Sequence, residues 1–419
     1  MNKEQRRRET VNPKTMIITV DIAKNSHWVY FRSGSGFESK VFEIKNDYEG
    51  FEKLMIKIKQ FKNQYNLSKL IFGYESTGPF AEPLIHFLTD KDIKLIQVNP
   101  RHVKRTKDIS DNSPLKTDKK DPKIIADLIQ LGNYLQVINP QKEIANLRRL
   151  SGTRERLVNM RTRLYNILHS QVYLIFPELT CAADLKRKSI QWLLKEYSFP
   201  SSISKLNFDD FEQNLKKISR GTLKKEKIQS IYQISKTSIG IKEGREAIYL
   251  EIKMLIKQIE ETNINIQEVE SQMKNELEKV SYSKYLLSLP GIAHVSAAIL
   301  IGEVGGFTNY KNAKQVEKLA GLNLFENSSG RRRGMHFISK RGRSILRKTY
   351  YYIALNSIRK NCIFHNDYKK YTAKGKPHYK AIIAIARKLV KLTFALAKKE
   401  TWFDEDLFFA NKKQRSMAA

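Results

Sequence analysis

The sequence predicts a mixed α/β domain in the first third of this 419-residue chain, then a long helical connector, then a mainly α-helical C-terminal part. Three observations carry that reading. Three short β-rich runs are followed by alternating helix and strand patterns between residues 15 and 141; two long heptad-like seams lie in 142–283; helical periodicity returns in 284–400. With 41% apolar residues the chain has material for two or three cores.

Residues 1–14 read as a disordered basic tail. MNKEQRRRET lacks a following apolar run, so it does not read as a secretion signal, and no apolar stretch in the chain approaches the ~20 residues needed to span a bilayer. TMIITVDI, HWVYF and FESKVFEI are short and rich in β-branched or aromatic residues, and Ser33-Gly34-Ser35-Gly36 separates the second from the third. Tyr48, Phe51, Leu54, Ile58 and Phe61 mark an amphipathic helix; KLIFGYES reads as a buried strand, a helix opens at Gly78-Pro79, and IKLIQVNP is the next strand. Three strands in hairpin order followed by helix–strand alternation is a ribonuclease-H-like layout.

A basic segment carrying Arg101, Lys104 and Arg105 leads into KTDKKDPKIIADLI, where Asp118 and Asp121 stand three residues apart before an apolar helical pattern. On one helical face such a pair lies within ~5–6 Å, close enough to share a cation. Pro122 disfavours helical geometry at Asp121, so the helix can instead begin at Pro122 with Asp121 as N-cap. Asp21 ends the first strand pattern and Glu75 the fourth, where parallel strands present a common rim. Each acid alone reads equally as a cap or a solvated end. Together they are costly to cluster without a cation.

From Lys142 the chain reads as a long helix with a seam at Leu150, Leu157, Met160, Leu164 and Ile167, and arginines on its other faces. Residues 177–240 are polar and lysine-rich, and no task follows from them. A second seam runs through Ile248, Ile252, Leu255, Ile259, Ile266, Val269 and Met273; the two can pair within one chain or between subunits. Pro290-Gly291 forms a turn before a helix, in a pattern that also fits a helix-hairpin-helix element. Between Arg331 and Lys348 stand eight basic residues and no acid: Arg331, Arg332, Arg333, Lys340, Arg341, Arg343, Arg347 and Lys348. A hydroxyl among arginines suits phosphoryl chemistry, with Ser328 and Ser329 as candidates, although Ser-Gly is also ordinary turn vocabulary. The last amphipathic helix, within HYKAIIAIARKLVKLTFALAKKE, fits a core contact, and residues 401–419 form a tail.

A net charge of +33 makes nucleic acid the leading partner. Cys181 and Cys362 are far apart without CxxC neighbours, which fits a reducing cytoplasm and argues against structural zinc.

VDIAKNSHW, FGYESTGPF, VNPRHVKRTK, KTDKKD, LPGIAHVSAAILIGEVG, GLNLFENSSG and ISKRGRSILR, in that order, resemble the DEDD transposases of the insertion-sequence one-ten group, including its eleven-eleven branch. The resemblance covers nearly the whole chain. It implies a RuvC-like domain, a coiled-coil connector and a C-terminal transposase domain. The family's acids fall on Asp21, Glu75, Asp118 and Asp121, expected to bind Mg2+ as a two-metal site, and its catalytic serine on Ser329. It further implies double-stranded donor and target DNA, a structured noncoding guide RNA (bridge or seeker RNA), a dimer or tetramer, and a bacterial or archaeal cytoplasm. The basic residues at 101–105 and 331–347 are assigned to nucleic acid. Pro122, Leu324 and Ser328 depart from the family pattern without removing a required group. Two rivals remain: a RuvC-like junction nuclease that uses the acids but not the serine, and a non-enzymatic nucleic-acid binder.

Overall fold

The computed structural model describes residues 3–10, 12–75, 78–110, 120–197, 199–329 and 332–410; the side chains of 3, 108–110, 326–329 and 332–336 lie outside that description. The chain divides into two compact units, 1–138 and 139–419.

The first unit is a six-stranded mixed sheet in the order β3-β2-β1-β4-β5-β6. Its strands are β1 (Thr15–Ile22), β2 (Ser26–Ser33), β3 (Phe42–Lys45), β4 (Lys69–Glu75), β5 (Lys94–Val98) and β6 (Leu135–Gln136). β1–β2–β3 form an antiparallel meander, β1–β4–β5 run parallel, and β6 returns antiparallel. Helices α1 (Lys3–Thr10), α2 (Tyr48–Gln64), α3 (Glu82–Thr89), α4 (Pro100–Ser110) and α5 (Asp121–Gln130) complete the unit.

β1 is buried on both faces, which explains its unbroken apolar run. Met16, Ile18 and Val20 join Phe51, Leu54 and Leu84 in one core beneath α2 and α3. Ile17 joins Ile71, Ile96, Ile125 and Ile129 in the other, beneath α5. The two-residue alternation of the strand makes that division. Gly73 permits the close seat of α5, since a Cβ there would lie 2.2 Å from Ile129 Cδ1.

One expectation changes here. Residues 3–10, expected to be a disordered tail, form α1: Arg6 Nε donates to Gly132 O at 3.0 Å, and Thr10 is buried with its hydroxyl donating to Ile129 O at 3.2 Å. The basic segment after β5 is helix α4, anchored by buried Val103.

The second unit begins with α6 (Lys142–Ile175), which packs against α12 (Arg245–Glu278). The pairs Asn146–Glu276 at 3.0 Å, Arg154–Glu270 at 2.7 Å and Arg161–Asn263 at 2.9 Å step in opposite directions, so the two helices, each ~50 Å long, are antiparallel. α6 buries Leu147, Ser151, Leu164, Leu168, Val172 and Ile175, while Met160 of the expected seam is 53% exposed. Arg154 and Arg161 hold the intervening turns against α12 through polar contacts instead. Most of the second expected seam is buried, from Ile252 to Met273.

Between these helices, residues 177–240 form α7 (Pro177–Ala182), α8 (Lys188–Glu196), α9 (Pro200–Ser204), α10 (Phe208–Ser219) and α11 (Lys225–Lys236), packed around Phe176, Ile190, Phe211 and Ile231. After α13 (Ser283–Leu287), the Pro290-Gly291 turn, with Gly291 at φ +94°, leads to α14 (His294–Val304), buried from Ala297 to Val304. Then follow α15 (Ala313–Leu319), the antiparallel hairpin β7 (Leu324–Ser329) and β8 (Arg332–Ile338), α16 (Ser344–Ser357), α17 (His365–Ala373) and α18 (His378–Lys399). Tyr350 and Thr393 tie α16 to α18 through buried hydroxyls 2.9 Å apart. Among the described residues no helix is long and apolar enough to cross a membrane.

Candidate functional site

The parallel pairing of β1 and β4 runs to Val20 opposite Tyr74, so the next residues, Asp21 (one before the end of β1) and Glu75 (the last of β4), stand at the same height on neighbouring strands. They follow Ile17 and Ile71 at even spacing, which puts them on the α5 face of the sheet. Asp121 is the first residue of α5, with Lys120 rather than Asp121 at the N-cap. The helix therefore starts one residue before the Pro122 alternative. Pro122 is tolerated there because first-turn N–H groups have no helical acceptor. Thr19 Oγ1 donates to Pro122 O at 2.7 Å and pins that start over β1.

The Asp121 side chain is 14% exposed. Lys107, on α4, donates its ammonium to Asp121 Oδ2, while Oδ1 is buried with no hydrogen-bond donor. Burial pushes the Glu75 carboxyl above its ordinary range, the negative charge of Asp121 pushes it further, and Lys107 pulls the other way. Glu75, Asp121 and Lys107 thus share one electrostatic environment. Asp118 lies outside the described residues, and among those described no three acidic, histidine or cysteine side chains close on a single metal point. What is present fits a hard cation: oxygen donors only, with Asp121 Oδ1 buried and receiving no hydrogen bond, at a helix N-terminus that already favours negative charge.

The serine region is a hairpin. Ser329 pairs with Arg332 next to the turn, and the register shifts between Asn327 and Ser329, so Ser328 falls in the irregularity. Gly330 and Arg331 lie outside the described residues, as do the side chains of Ser328, Ser329, Arg332 and Arg333.

The remaining basic candidates divide. Arg101, Lys104 and Arg105 are exposed on α4, and Lys340 and Arg341 are exposed after β8. Arg343 and Arg347 are engaged by the protein. Arg343 donates to buried Glu303 at 3.2 Å, and Arg347 donates to Ala320 O at 3.0 Å and Lys340 O at 3.2 Å. Arg148 lies in the same network and donates to Gly302 O at 2.9 Å. Burial, with the nearby Arg343, pushes its guanidinium down to about 10 against the pull of Glu303. Sequence reasoning gave Lys107 no role, and counted Arg148 among the arginines on the outer faces of the long helix, whereas it is spent on Gly302 O. The spacing of Lys107 from Val103, one helical turn, was the available signal for the first; nothing local marked the second.

Residues 18–177 match a transposase family of the DEDD IS110 type, and residues 283–369 match the transposase IS116/IS110/IS902 family. The chain belongs to the IS110-type insertion-sequence transposases. An insertion element IS116 protein of Streptomyces clavuligerus is 23% identical over 92% of this chain and 95% of its own length. The corresponding IS110 protein of Streptomyces coelicolor is 24% identical over 69% and 72%. A transposase for insertion sequence element IS1328 of Yersinia enterocolitica is 32% identical over 20% of this chain and 25% of its own. Membership makes this transposase an enzyme class that acts on DNA.

Proposed function

We propose that the chain is an RNA-guided recombinase of its own insertion sequence, which cuts and exchanges DNA strands with Ser329 as nucleophile and Asp21, Glu75, Asp118 and Asp121 as a Mg2+ site. The observation that supports this reading is that Asp21 and Glu75 stand level on neighbouring parallel strands, on the sheet face covered by α5, and that Glu75 feels the charge of Asp121 at the start of that helix. The strand order, an antiparallel meander joined to parallel strands, supports a ribonuclease-H-like, RuvC-like first domain.

In the proposed reaction the Ser329 hydroxyl attacks a DNA phosphorus. An Oγ–P bond forms, the P–O bond to one strand breaks, the serine loses its proton and the departing oxygen gains one. A hydroxyl of the exchanged strand then reverses the step and frees the serine. Mg2+ at the carboxylates would stabilise charge on the phosphoryl group and the departing oxygen. Arg101, Lys104, Arg105, Lys340 and Arg341 face solvent and are assigned to nucleic-acid phosphates, together with Arg331, Arg332 and Arg333. A structured guide RNA encoded by the element supplies target choice. A dimer or tetramer brings serine and acids together from different subunits, in a bacterial or archaeal cytoplasm.

The test is Ser329→Ala. Loss of the covalent protein–DNA adduct and of strand exchange, with an unchanged circular-dichroism spectrum, is the expected result. Full activity would exclude serine chemistry and leave the metal-dependent junction nuclease. Sequencing the RNA that copurifies with the protein tests the guide.

A further inference from the structure

Lys107 is placed where a metal ion and a lysine compete for the same oxygens. It stands four residues after Val103 on α4, so the two share a face: Val103 is buried in the core beneath α5, and Lys107 reaches the first residue of α5. Arg101, Lys104 and Arg105 turn outward from the same helix. The ammonium lies against both oxygens of the Asp121 carboxylate, although only Oδ2 receives its hydrogen bond. Its charge also offsets the repulsion between Asp121 and Glu75. One internal cation therefore does for these two acids what a divalent ion does for a carboxylate cluster.

The two occupants exclude each other. A hard divalent ion takes carboxylate oxygens at ~2.0–2.6 Å. An ammonium held in contact with the same carboxylate would then sit close to a second positive charge, with little intervening solvent to screen the repulsion. We infer that Lys107 is an exchangeable internal counter-ion: it holds Asp121 beside Glu75 until a divalent cation binds, and that binding displaces it. Lys107 is on this account a positioning residue, and the inference rests on the cation-site reading proposed above.

The experiment titrates the full-length protein with Mn2+, following free Mn2+ by electron paramagnetic resonance. Lys107→Met keeps the length of the side chain and removes its charge; Lys107→Arg keeps the charge. Lys107→Met is expected to bind Mn2+ about tenfold more tightly than wild type, equivalent to about 1.4 kcal/mol, while Lys107→Arg stays close to wild type. In EDTA, Lys107→Met is expected to melt at a lower temperature than wild type, with the gap closing as Mn2+ is added. Unchanged or weaker Mn2+ affinity in Lys107→Met overturns the exchange. If wild type binds Mn2+ and Asp121→Asn abolishes that binding, such a result overturns the exchange alone. If wild type shows no Asp121-dependent Mn2+ binding, the cation-site reading falls and the exchange falls with it.

Discussion

The sheet rim that carries Asp21 and Glu75, with Asp121 at the start of α5, and the hairpin that carries Ser328 and Ser329 are built by opposite means. The rim joins residues far apart in sequence through parallel pairing, with β1 covered on both faces and α5 seated in contact with Gly73. The hairpin joins sequence neighbours as a two-stranded ribbon, and it leaves Phe325 and Phe337 45% and 41% exposed. Like charges held close together need a scaffold that does not yield, because any slack lets them separate into water. The hydroxyl proposed as nucleophile has no such requirement, so a two-stranded ribbon suffices to present it.

That contrast predicts a graded set of effects. Asp21→Asn and Asp121→Asn are each expected to lower DNA cleavage by roughly 10²–10³-fold in a gel assay while retaining the fold; full cleavage in either would deprive the rim of its chemistry. Gly73→Val is expected to destabilise the protein by about 1–3 kcal/mol in a denaturant titration, because its new side chain meets Ile129. An unchanged midpoint there would show that the rim yields after all.

A smaller effect follows from the acid–base balance at the rim. Burial, and then the charge of Asp121, keep the Glu75 carboxyl protonated to higher pH in the folded protein than in the unfolded chain. Its contribution to stability is therefore present below the ordinary glutamate range and is lost as pH rises from that range through the folded value. Glu75→Gln should flatten that limb of a curve of melting temperature against pH measured in EDTA; a limb of unchanged slope would assign it to other groups. Smallest is Phe325→Ser on the hairpin, expected within about 0.5 kcal/mol of wild type, since the side chain is already half in water.

Much of the first unit was legible in advance because strand burial repeats every two residues. The runs at 15–22, 26–33 and 69–75 declared themselves by β-branched and aromatic content, with an acid at or next to the end of two of them. The long helices were legible from length and periodicity, but Met160 was placed on the wrong face. Leucine-like spacing alone does not reveal that Arg154 and Arg161 take interface turns through partners on α12. Charge was the least legible property. Arg341 and Arg343 stand two residues apart in one basic run, yet one faces solvent and the other is committed to Glu303.

By itself the sequence determined the class of the first domain, the family, and which acids and serines are candidates, because local periodicity and short ordered motifs survive in one dimension. Only the tertiary structure decided that α1 packs instead of trailing, that α5 begins at Asp121, and which cations are spent inside the protein. It alone set Lys107 on Asp121. The physical reason is that an ion pair between separate helices depends on where two backbones are carried by their cores, and no spacing within either segment encodes that.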